Sequence, residues 1–378
     1  MSSIDFNSGY WQIAMDEHSA QYTAFATPLG LFEWTVMPFG LKNSPRTFAR
    51  AVSEILRGLP FVRVFYDDIA VMSPDFESHL IHLDLVFARL RRADLTAHFK
   101  KCFFVRPQLP YLGRVVDQEG VDLQPEQLKC VEEFPSPNEE HKIKTKKKKL
   151  RKFLGLCQWF SCFVPQYATL AAPLTELLKD KSPWIWEDQE ETAFAEVKKA
   201  IMMAKKLSHL RYDLPLRLQC DSSEVGFGCV LFQRDPENPE LRHVVEYASR
   251  KLQPAESRWT ALEREAGALF WAVKKYEKYL EGKKFFLTTD NRALSWMKDT
   301  KDSNSKVYRW FLLLSSMDFE LEFCAGERNE GPDGLSRHPL QDGEPGDLGE
   351  HQDVGPPPLA WPPRHTSLPG SVHTSAHG

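Results

Sequence analysis

The chain has 378 residues and a formal net charge of −4, which neither indicates nor excludes a nucleic-acid partner because basic residues can cluster on one face. Its seven cysteines are scattered, odd in number and without a CxxC pair, which argues against a zinc site or disulfide framework and for a reducing, intracellular compartment. Without a long apolar run or a signal-peptide pattern, we expect neither a membrane span nor secretion.

The first block, residues 1 to about 113, alternates strand-like runs with helices. A turn-forming Asn-Ser-Gly follows Asp5, which is typical of a strand that ends in a turn. Because only four residues precede Asp5, we expect the strand that carries it to begin outside this sequence. Further along, a Ser-Pro pair at Pro45 predicts the start of an amphipathic helix that ends near Gly58.

Two adjacent aspartates, Asp67 and Asp68, lie between apolar runs in the stretch VRVFYDDIAVMS, residues 62–73. The β-branched and aromatic flanks predict strand, turn, strand, with Tyr66 and the two acids at or near the turn. A lone Asp is common in turns without any ligand. Neighbouring carboxylates instead repel unless a proton or a cation lies between them. The pair therefore suggests a cation and a further carboxylate elsewhere in the chain.

The segment KIKTKKKKLRK, residues 142–152, is almost entirely basic. Dense positive charge suits contact with a phosphate backbone or a nuclear-import signal, and a solvated loop created by an insertion is the remaining alternative. The residues that follow place apolar side chains at helical spacing and predict helices.

Four acidic residues come from separate predicted elements of the block 206–338. The sequence LRLQCDSSEVGFGCVLFQ predicts a strand into Asp221, a turn and a second strand. Another strand ends at Asp290. Asp333 directly follows a proline, where a short helix could begin.

The fourth acid, Glu265, lies on a helix predicted from about Ala255 to Glu281. It shares the apolar stripe of Leu262 and Leu269, where burial of a carboxylate is costly unless a positive group meets it. Its neighbour Glu263 fits the exposed face.

Several motifs together resemble a known family. Asp5 with SGYWQI, then TAFATPLGLFEWTVMPFGLKNSPRTF, YDDIAVMS, KKCFF and YLGR follow the order and spacing of a gypsy-class LTR-retrotransposon reverse transcriptase, and DSS, EREA, TDN and GERNEGPDGLSR resemble its ribonuclease H. The chain thus resembles a Pol polyprotein fragment, truncated at the fingers, up to about Pro339. The set is specific, although any single piece is weak.

The resemblance implies a multidomain fold of the α+β and α/β classes. The implied parts are a reverse-transcriptase palm at 1–113 with the fingers largely missing, a helical thumb and connection with a Lys-rich insertion at 114–205, a ribonuclease H-like domain with a mixed sheet at 206–338, and a disordered Gly- and Pro-rich tail at 339–378.

The resemblance also implies a polymerase site. Its catalytic and metal-binding residues are Asp5, Asp67 and Asp68, which hold two Mg²⁺ ions, with Mn²⁺ as an alternative. Tyr10 is the implied steric gate for the sugar 2′ position, or else an aromatic of the palm core. The other implied substrate contacts are Phe39 and Gly40 beside nucleotide and template, Lys101 as a proton donor to pyrophosphate or a solvated lysine, and Tyr111, Leu112 and Gly113.

A second two-metal site is implied in the ribonuclease H-like domain. Its catalytic and metal-binding residues are Asp221, Glu265, Asp290 and Asp333, and its substrate is the RNA strand of an RNA–DNA hybrid. Such a hybrid is recognised by its shape and backbone rather than by its base sequence.

The leading hypothesis is an RNA-directed DNA polymerase with ribonuclease H activity, whose partners are an RNA template, a DNA primer, the hybrid and deoxynucleoside triphosphates. One alternative is a polymerase-dead fragment that retains only ribonuclease H, because the fingers segment is missing. Another is a non-catalytic nucleic-acid-binding relic. The expected compartment is intracellular, in the cytoplasm, with the nucleus as an alternative, and the sequence does not indicate the oligomeric state.

Overall fold

The computed structural model describes residues 1–180, 182–289 and 306–323. The described residues form two compact units, the first over residues 1–118 and the second over the described residues from 119 to 323. The finer domain boundaries at 113, 205 and 338 stay predictions, and the tail from 339 lies outside the described residues.

Within the described residues, the first unit contains seven short strands and three α-helices. The strands are β1 (Ser2–Ile4), β2 (Phe25–Thr27), β3 (Gly30–Phe32), β4 (Val62–Phe65), β5 (Asp68–Val71), β6 (Leu109–Tyr111) and β7 (Arg114–Val116). The helices are α1 (Glu17–Ala20), α2 (Ser44–Ile55) and α3 (Phe76–Arg92).

A three-stranded antiparallel sheet in the order β1-β5-β4 is the core of this unit. The predicted strand, turn, strand at residues 62–73 is confirmed as the β4–β5 hairpin. The predicted helix is confirmed as α2, which begins with Pro in its first turn and buries Phe48 and Val52 against the sheet side chains Ile4 and Ile69. Burial of this apolar stripe explains why the segment is helical.

The second unit contains seven strands and eight α-helices among its described residues. The strands are β8 (Gly120–Leu123), β9 (Leu207–Ser208), β10 (Leu216–Ser222), β11 (Gly226–Arg234), β12 (Arg242–Lys251), β13 (Phe285–Thr289) and β14 (Phe319–Phe323). The helices are α4 (Pro125–Glu132), α5 (Ile143–Gln158), α6 (Tyr167–Leu170), α7 (Ala172–Glu176), α8 (Asp188–Met202), α9 (Ala261–Lys275), α10 (Glu277–Leu280) and α11 (Lys306–Leu314).

A five-stranded mixed sheet in the order β12-β11-β10-β13-β14 organises the second unit. Strands β10, β11 and β12 form an antiparallel meander, whereas β13 pairs in parallel with β10 and with β14. Helix α9 packs on this sheet through a stripe that includes Ala266, Leu269 and Val273. The predicted strand before residue 290 is confirmed as β13.

The predicted start of the long helix, about Ala255, is wrong. Helix α9 begins at Ala261 because Thr260 caps it. The Thr260 hydroxyl accepts a hydrogen bond from the backbone N–H of Glu263, and the Glu263 side chain accepts one from the backbone N–H of Thr260. Glu263 is therefore part of a capping box rather than only a surface residue, and it also pairs with Lys306 at 3.3 Å.

The basic run is not a loop, so the loop alternative is wrong. Helix α5 includes the lysines from Lys144 to Lys152, because its buried face (Leu150, Phe153 and Cys157) continues the helical period. Lysine is also a good helix former. This result does not test the other two interpretations of the basic run, which are contact with a phosphate backbone and a nuclear-import signal.

Candidate active sites

The β4–β5 hairpin presents Asp67 and Asp68 at its tip. Tyr66 and Asp67 form the two-residue loop between the paired residues Phe65 and Asp68. Tyr66 adopts a φ of 53°, in the left-handed region that bulky residues rarely occupy. The turn thus holds a strained residue next to both acids, a pattern that clusters at functional sites.

Asp5 reaches the same end of the sheet from β1. Ile4 pairs with Ile69 in the antiparallel register, so the next position places Asp5 beside Asp68. The Asp5 backbone is held on both sides: its N–H donates to Cys102 Sγ at 3.4 Å, and its carbonyl accepts from the His98 N–H at 2.8 Å. The three acids that the sequence predicts for the first site therefore come from β1 and the β4–β5 hairpin, whose strands β1 and β5 are adjacent.

The negative charges of these acids act on one another. The pKa of Asp68 is raised by partial desolvation, then by the charges of Asp67 and Asp5. The nearest cation to Asp5 in an ion pair is Lys101, with Nζ 4.0 Å from Oδ1, and both side chains are substantially exposed. The described site has more negative charge than this one lysine compensates.

A cavity of about 170 Å³ brings several predicted site residues together: Asp5, Asp68, Lys101, Tyr111 and Leu112 all line it. Burial raises the pKa of Tyr111, and the charge of Asp68 adds to the effect. The β6–β7 hairpin supplies Tyr111 and Leu112, and its loop, Leu112 and Gly113, has positive φ at both positions. Positive φ at both loop residues is the requirement of a type I′ turn.

Tyr10 lies in a 3₁₀ turn, Gly9–Gln12, and packs against Phe39 and Phe48, with ring centroids 5.2 and 5.6 Å away. Its pKa is raised by desolvation, then by Asp67 and Tyr66, so the phenol lies within electrostatic reach of the hairpin acids. Phe39 is exposed. Gly40 has a φ of 92° and open space where a side chain would project.

The donor chemistry of Asp5, Asp67 and Asp68 fits a hard divalent cation, because such ions prefer carboxylate oxygens. The pKa of Asp68 is raised mainly by desolvation and further by the charges of Asp67 and Asp5, and a bound cation would offset this second contribution. In the described part of the chain, however, no group of three or more His, Cys, Asp or Glu side chains stands close enough to hold one ion.

In the second unit, Asp221 is buried on β10 and Glu265 is half-buried on α9. The Ser222 hydroxyl donates to Glu265 Oε1 at 2.7 Å, which is a neutral rather than a positive partner. Burial raises the pKa of the Cys220 thiol, and the charges of Cys229, Glu265 and Asp221 add to the shift, so both acids act on one thiol. Asp290 and Asp333 lie outside the described residues.

Gln166 contacts Asp221, one of the acids predicted for the second site, and was not itself among the predicted site residues. Its Nε2 donates to Asp221 Oδ2 at 3.2 Å, although the two residues are far apart in sequence. In the sequence, Gly228 is the one signal of this contact, because a glycine within a strand often marks a site where another part of the chain approaches closely. The glycine does not indicate which residue makes the approach.

The structure thus combines a small antiparallel sheet, with Asp5, Asp67 and Asp68 at one end, and a five-stranded mixed sheet that carries Asp221. Residues 1–116 match the reverse transcriptase (RNA-dependent DNA polymerase) family, and residues 211–317 match the RNase H-like domain found in reverse transcriptase. The chain thus carries a segment similar to reverse transcriptases, followed by a segment similar to their RNase H-like domain. Each helix within the described ranges is too short or too polar to cross a membrane.

The similar curated proteins are retroelement and viral polyproteins. The chain is 33% identical over 353 residues to the retrovirus-related Pol polyprotein from transposon 297 of Drosophila melanogaster, covering 93% of this chain and 32% of that polyprotein. It is 31% identical to the enzymatic polyprotein of cauliflower mosaic virus (strain D/H), covering 89% and 50%. The chain spans about a third of the transposon relative. The predicted resemblance to an LTR-retrotransposon Pol fragment is confirmed.

Two solved structures show the same fold. A foamy viral protease-reverse transcriptase dRH in complex with double-stranded DNA matches with a TM-score of 0.74 at 22% identity, covering 85% of this chain and 56% of that one. A foamy viral protease-reverse transcriptase in complex with an RNA/DNA hybrid matches with a TM-score of 0.73 at 23% identity, covering 92% and 46%. The predicted fold class is confirmed.

Proposed function

We propose that the chain is an RNA-directed DNA polymerase with ribonuclease H activity on RNA–DNA hybrids. The observation that carries the proposal is that Asp5, Asp67 and Asp68 lie at one end of the first unit's sheet, where desolvation, and then the charges of Asp67 and Asp5, raise the pKa of Asp68. Like charges held close together repel one another, so their presence at one place in a fold favours a cation-binding or catalytic role.

Divalent metal ions are general cofactors of these two families. We propose two Mg²⁺ ions per site, with Mn²⁺ as a substitute. When bound, they activate the attacking oxygen and neutralise charge on the leaving group. Asp5, Asp67 and Asp68 would hold them in the first unit. Asp221, Glu265, Asp290 and Asp333 would do so in the second.

The neighbouring side chains take the remaining roles in polymerisation. Tyr10, packed against Phe39, limits space at the sugar 2′ position, and Gly40 lets the backbone approach the nucleotide. Lys101 donates a proton to departing pyrophosphate, and its exposure leaves the ammonium accessible from solvent. Positioning and electrostatics supply most of the catalysis of phosphoryl transfer.

The substrates follow from the same proposal. Foamy viral relatives of the same fold are solved with double-stranded DNA and with an RNA/DNA hybrid, which supports such duplexes as ligands of this chain. The partners are an RNA template, a DNA primer, their hybrid and deoxynucleoside triphosphates. The site of action we propose is the cytoplasm, with the nucleus as a second compartment.

Primer extension tests the polymerase. The purified chain extends a DNA primer on an RNA template with Mg²⁺, and Asp68→Asn reduces the rate by about 100-fold or more, because charge stabilisation at the transferred phosphoryl group is lost. Asp84→Asn, the same change at an exposed position of α3, serves as the control and keeps wild-type activity.

Cleavage of the RNA strand in a labelled hybrid tests the nuclease. Metal-dependent cleavage is expected to disappear in Asp221→Asn and Asp290→Asn and to persist in Glu224→Gln, an exposed acid three residues from Asp221. Cleavage without primer extension identifies a polymerase-dead nuclease. If a folded sample shows neither reaction, the enzyme proposal is wrong.

A further inference from the structure

The segment that contains Gln166 is docked across three adjacent strands of the second unit's sheet. Asp221, Gly228 and Ser249 are cross-strand neighbours on β10, β11 and β12. The Gln166 amide contacts the first two, and the backbone N–H of Ala168 donates to Ser249 Oγ at 2.8 Å. The docking is therefore a set of matched contacts along one row of the sheet.

The amide of Gln166 fills space that only a glycine leaves open. A Cβ atom added at Gly228 would lie 2.3 Å from Oε1 of Gln166 and 2.4 Å from its Cδ and Nε2. Real side chains do not approach this closely, so the amide and any larger residue at 228 exclude each other. Gln166 also has a φ of 52°, so its backbone adopts a conformation that a non-glycine residue rarely takes.

The orientation of this amide follows from its chemistry. Gln166 is 3% exposed, and among the described residues its Oε1 has no hydrogen-bond partner. Its Nε2 donates to Asp221, and the reversed amide would set oxygen against oxygen. A buried glutamine is therefore held in one orientation by one acidic side chain.

We propose that Gln166 is a positioning residue of the ribonuclease H site, whose amide orients the Asp221 carboxylate toward a divalent ion. The inference rests on the proposed function. Carboxylates that bind metals are commonly oriented by hydrogen bonds from a second layer of residues, and loss of such a partner typically weakens metal binding about 10- to 100-fold. Gln166 precedes residues 211–317, the part that matches the RNase H-like family, so an upstream segment completes the site.

Metal affinity of the full chain tests the role independently of activity. Mn²⁺ is titrated by calorimetry into wild type, Gln166→Met and Asp221→Asn. Methionine keeps the approximate length of glutamine but cannot donate. The apparent Kd of the site that Asp221→Asn abolishes is expected to rise about 10- to 100-fold in Gln166→Met.

The matched control is Tyr167→Phe, which removes a buried hydroxyl without a described hydrogen-bond partner from the next residue of the same segment. It should retain wild-type Mn²⁺ affinity. Gln166→Asn, whose amide is one methylene shorter, is the second variant if Gln166→Met does not fold. Circular dichroism in EDTA establishes folding for each variant.

The outcomes separate the two proposals. Wild-type Mn²⁺ affinity in a folded Gln166 variant, alongside weakened binding in Asp221→Asn, overturns the role of Gln166 and leaves the nuclease intact. Wild-type chain that neither binds Mn²⁺ nor cleaves a hybrid overturns both. Equal weakening in Tyr167→Phe also overturns the positioning role, because it would assign the effect to docking of the whole segment.

Discussion

Gly228→Ala is the substitution that most directly probes the contact between the upstream segment and the sheet. The new Cβ would lie 2.3 to 2.4 Å from three atoms of the Gln166 amide, so the amide must leave its position. Once displaced, it no longer donates to Asp221. The protein then has a buried acid without this partner and a buried amide that must find another.

The size of the effect can be worked from these contacts. A hydrogen bond to a charged group contributes about 1.5 to 3 kcal/mol. Replacing a strand glycine by alanine returns about 0.5 to 1 kcal/mol through the lower entropy of the unfolded chain. The net loss in the free energy of unfolding is therefore about 1 to 2 kcal/mol.

The assay is a double-mutant cycle in which the stability of each variant is measured from the urea unfolding transition of the second unit. In the Gln166→Ala background the amide is absent, so Gly228→Ala should stabilise the unit by about 0.5 to 1 kcal/mol. The coupling free energy between the two positions is then about 1.5 to 3 kcal/mol, within the range usual for contacting residues.

Gly226→Ala is the matched control, because a Cβ there would lie 2.8 Å from the backbone oxygen of Arg250 rather than against a side chain. Its effect should be the same with glutamine or alanine at position 166. If Gly228→Ala is equally destabilising in both backgrounds, Gln166 does not occupy the space above Gly228 and the reasoning fails.

Three further predictions concern stability. Asp94 has a φ of 56° just past the end of α3, in a Schellman motif in which the Leu95 N–H donates to the Leu90 carbonyl. Asp94→Gly should therefore stabilise the first unit by about 0.5 to 1 kcal/mol, whereas Asp94→Ala should not. Thr260→Ala removes the cap of α9 and should lower the free energy of unfolding by about 1 kcal/mol, with Thr260→Ser recovering most of it. Burial lowers the pKa of His79 to about 4, between the hydroxyls of Ser2 and Ser73, while an unfolded histidine titrates near 6.5. As pH falls from 7 toward 4, only the unfolded state gains this proton, so stability decreases by as much as about 3 kcal/mol, and His79→Gln should flatten the decline measured by urea unfolding at each pH.

Local patterns predicted the parts of the fold that local chemistry determines. The hairpin at residues 62–73 follows from β-branched and aromatic flanks around two acids, and the α2 start follows from its Ser-Pro pair. The start of α9 was readable in the same way, since Thr260 and Glu263 have the spacing of a capping box.

The missed features depend on distant partners. The basic run is helical because its last turns bury Leu150 and Phe153, a contact that the charge of the preceding lysines obscures in any local window. The contact of Gln166 with Asp221 requires a short helix to dock across three strands, and no periodicity records that docking. Tyr10 and Phe39 could be named from family likeness, but not their mutual packing.

The parallel pairing of β13 with β10 has a consequence for how the second unit assembles. The β10–β12 meander pairs residues that are close in sequence, whereas Leu216 meets Phe285 only after the whole of α9 has been made. Non-local pairing of this kind slows folding because the entropy cost of closing the loop comes before any contact stabilises the pairing. During synthesis, β10 would have an unpaired edge until β13 emerges, and such an edge is a site at which misassembly can begin.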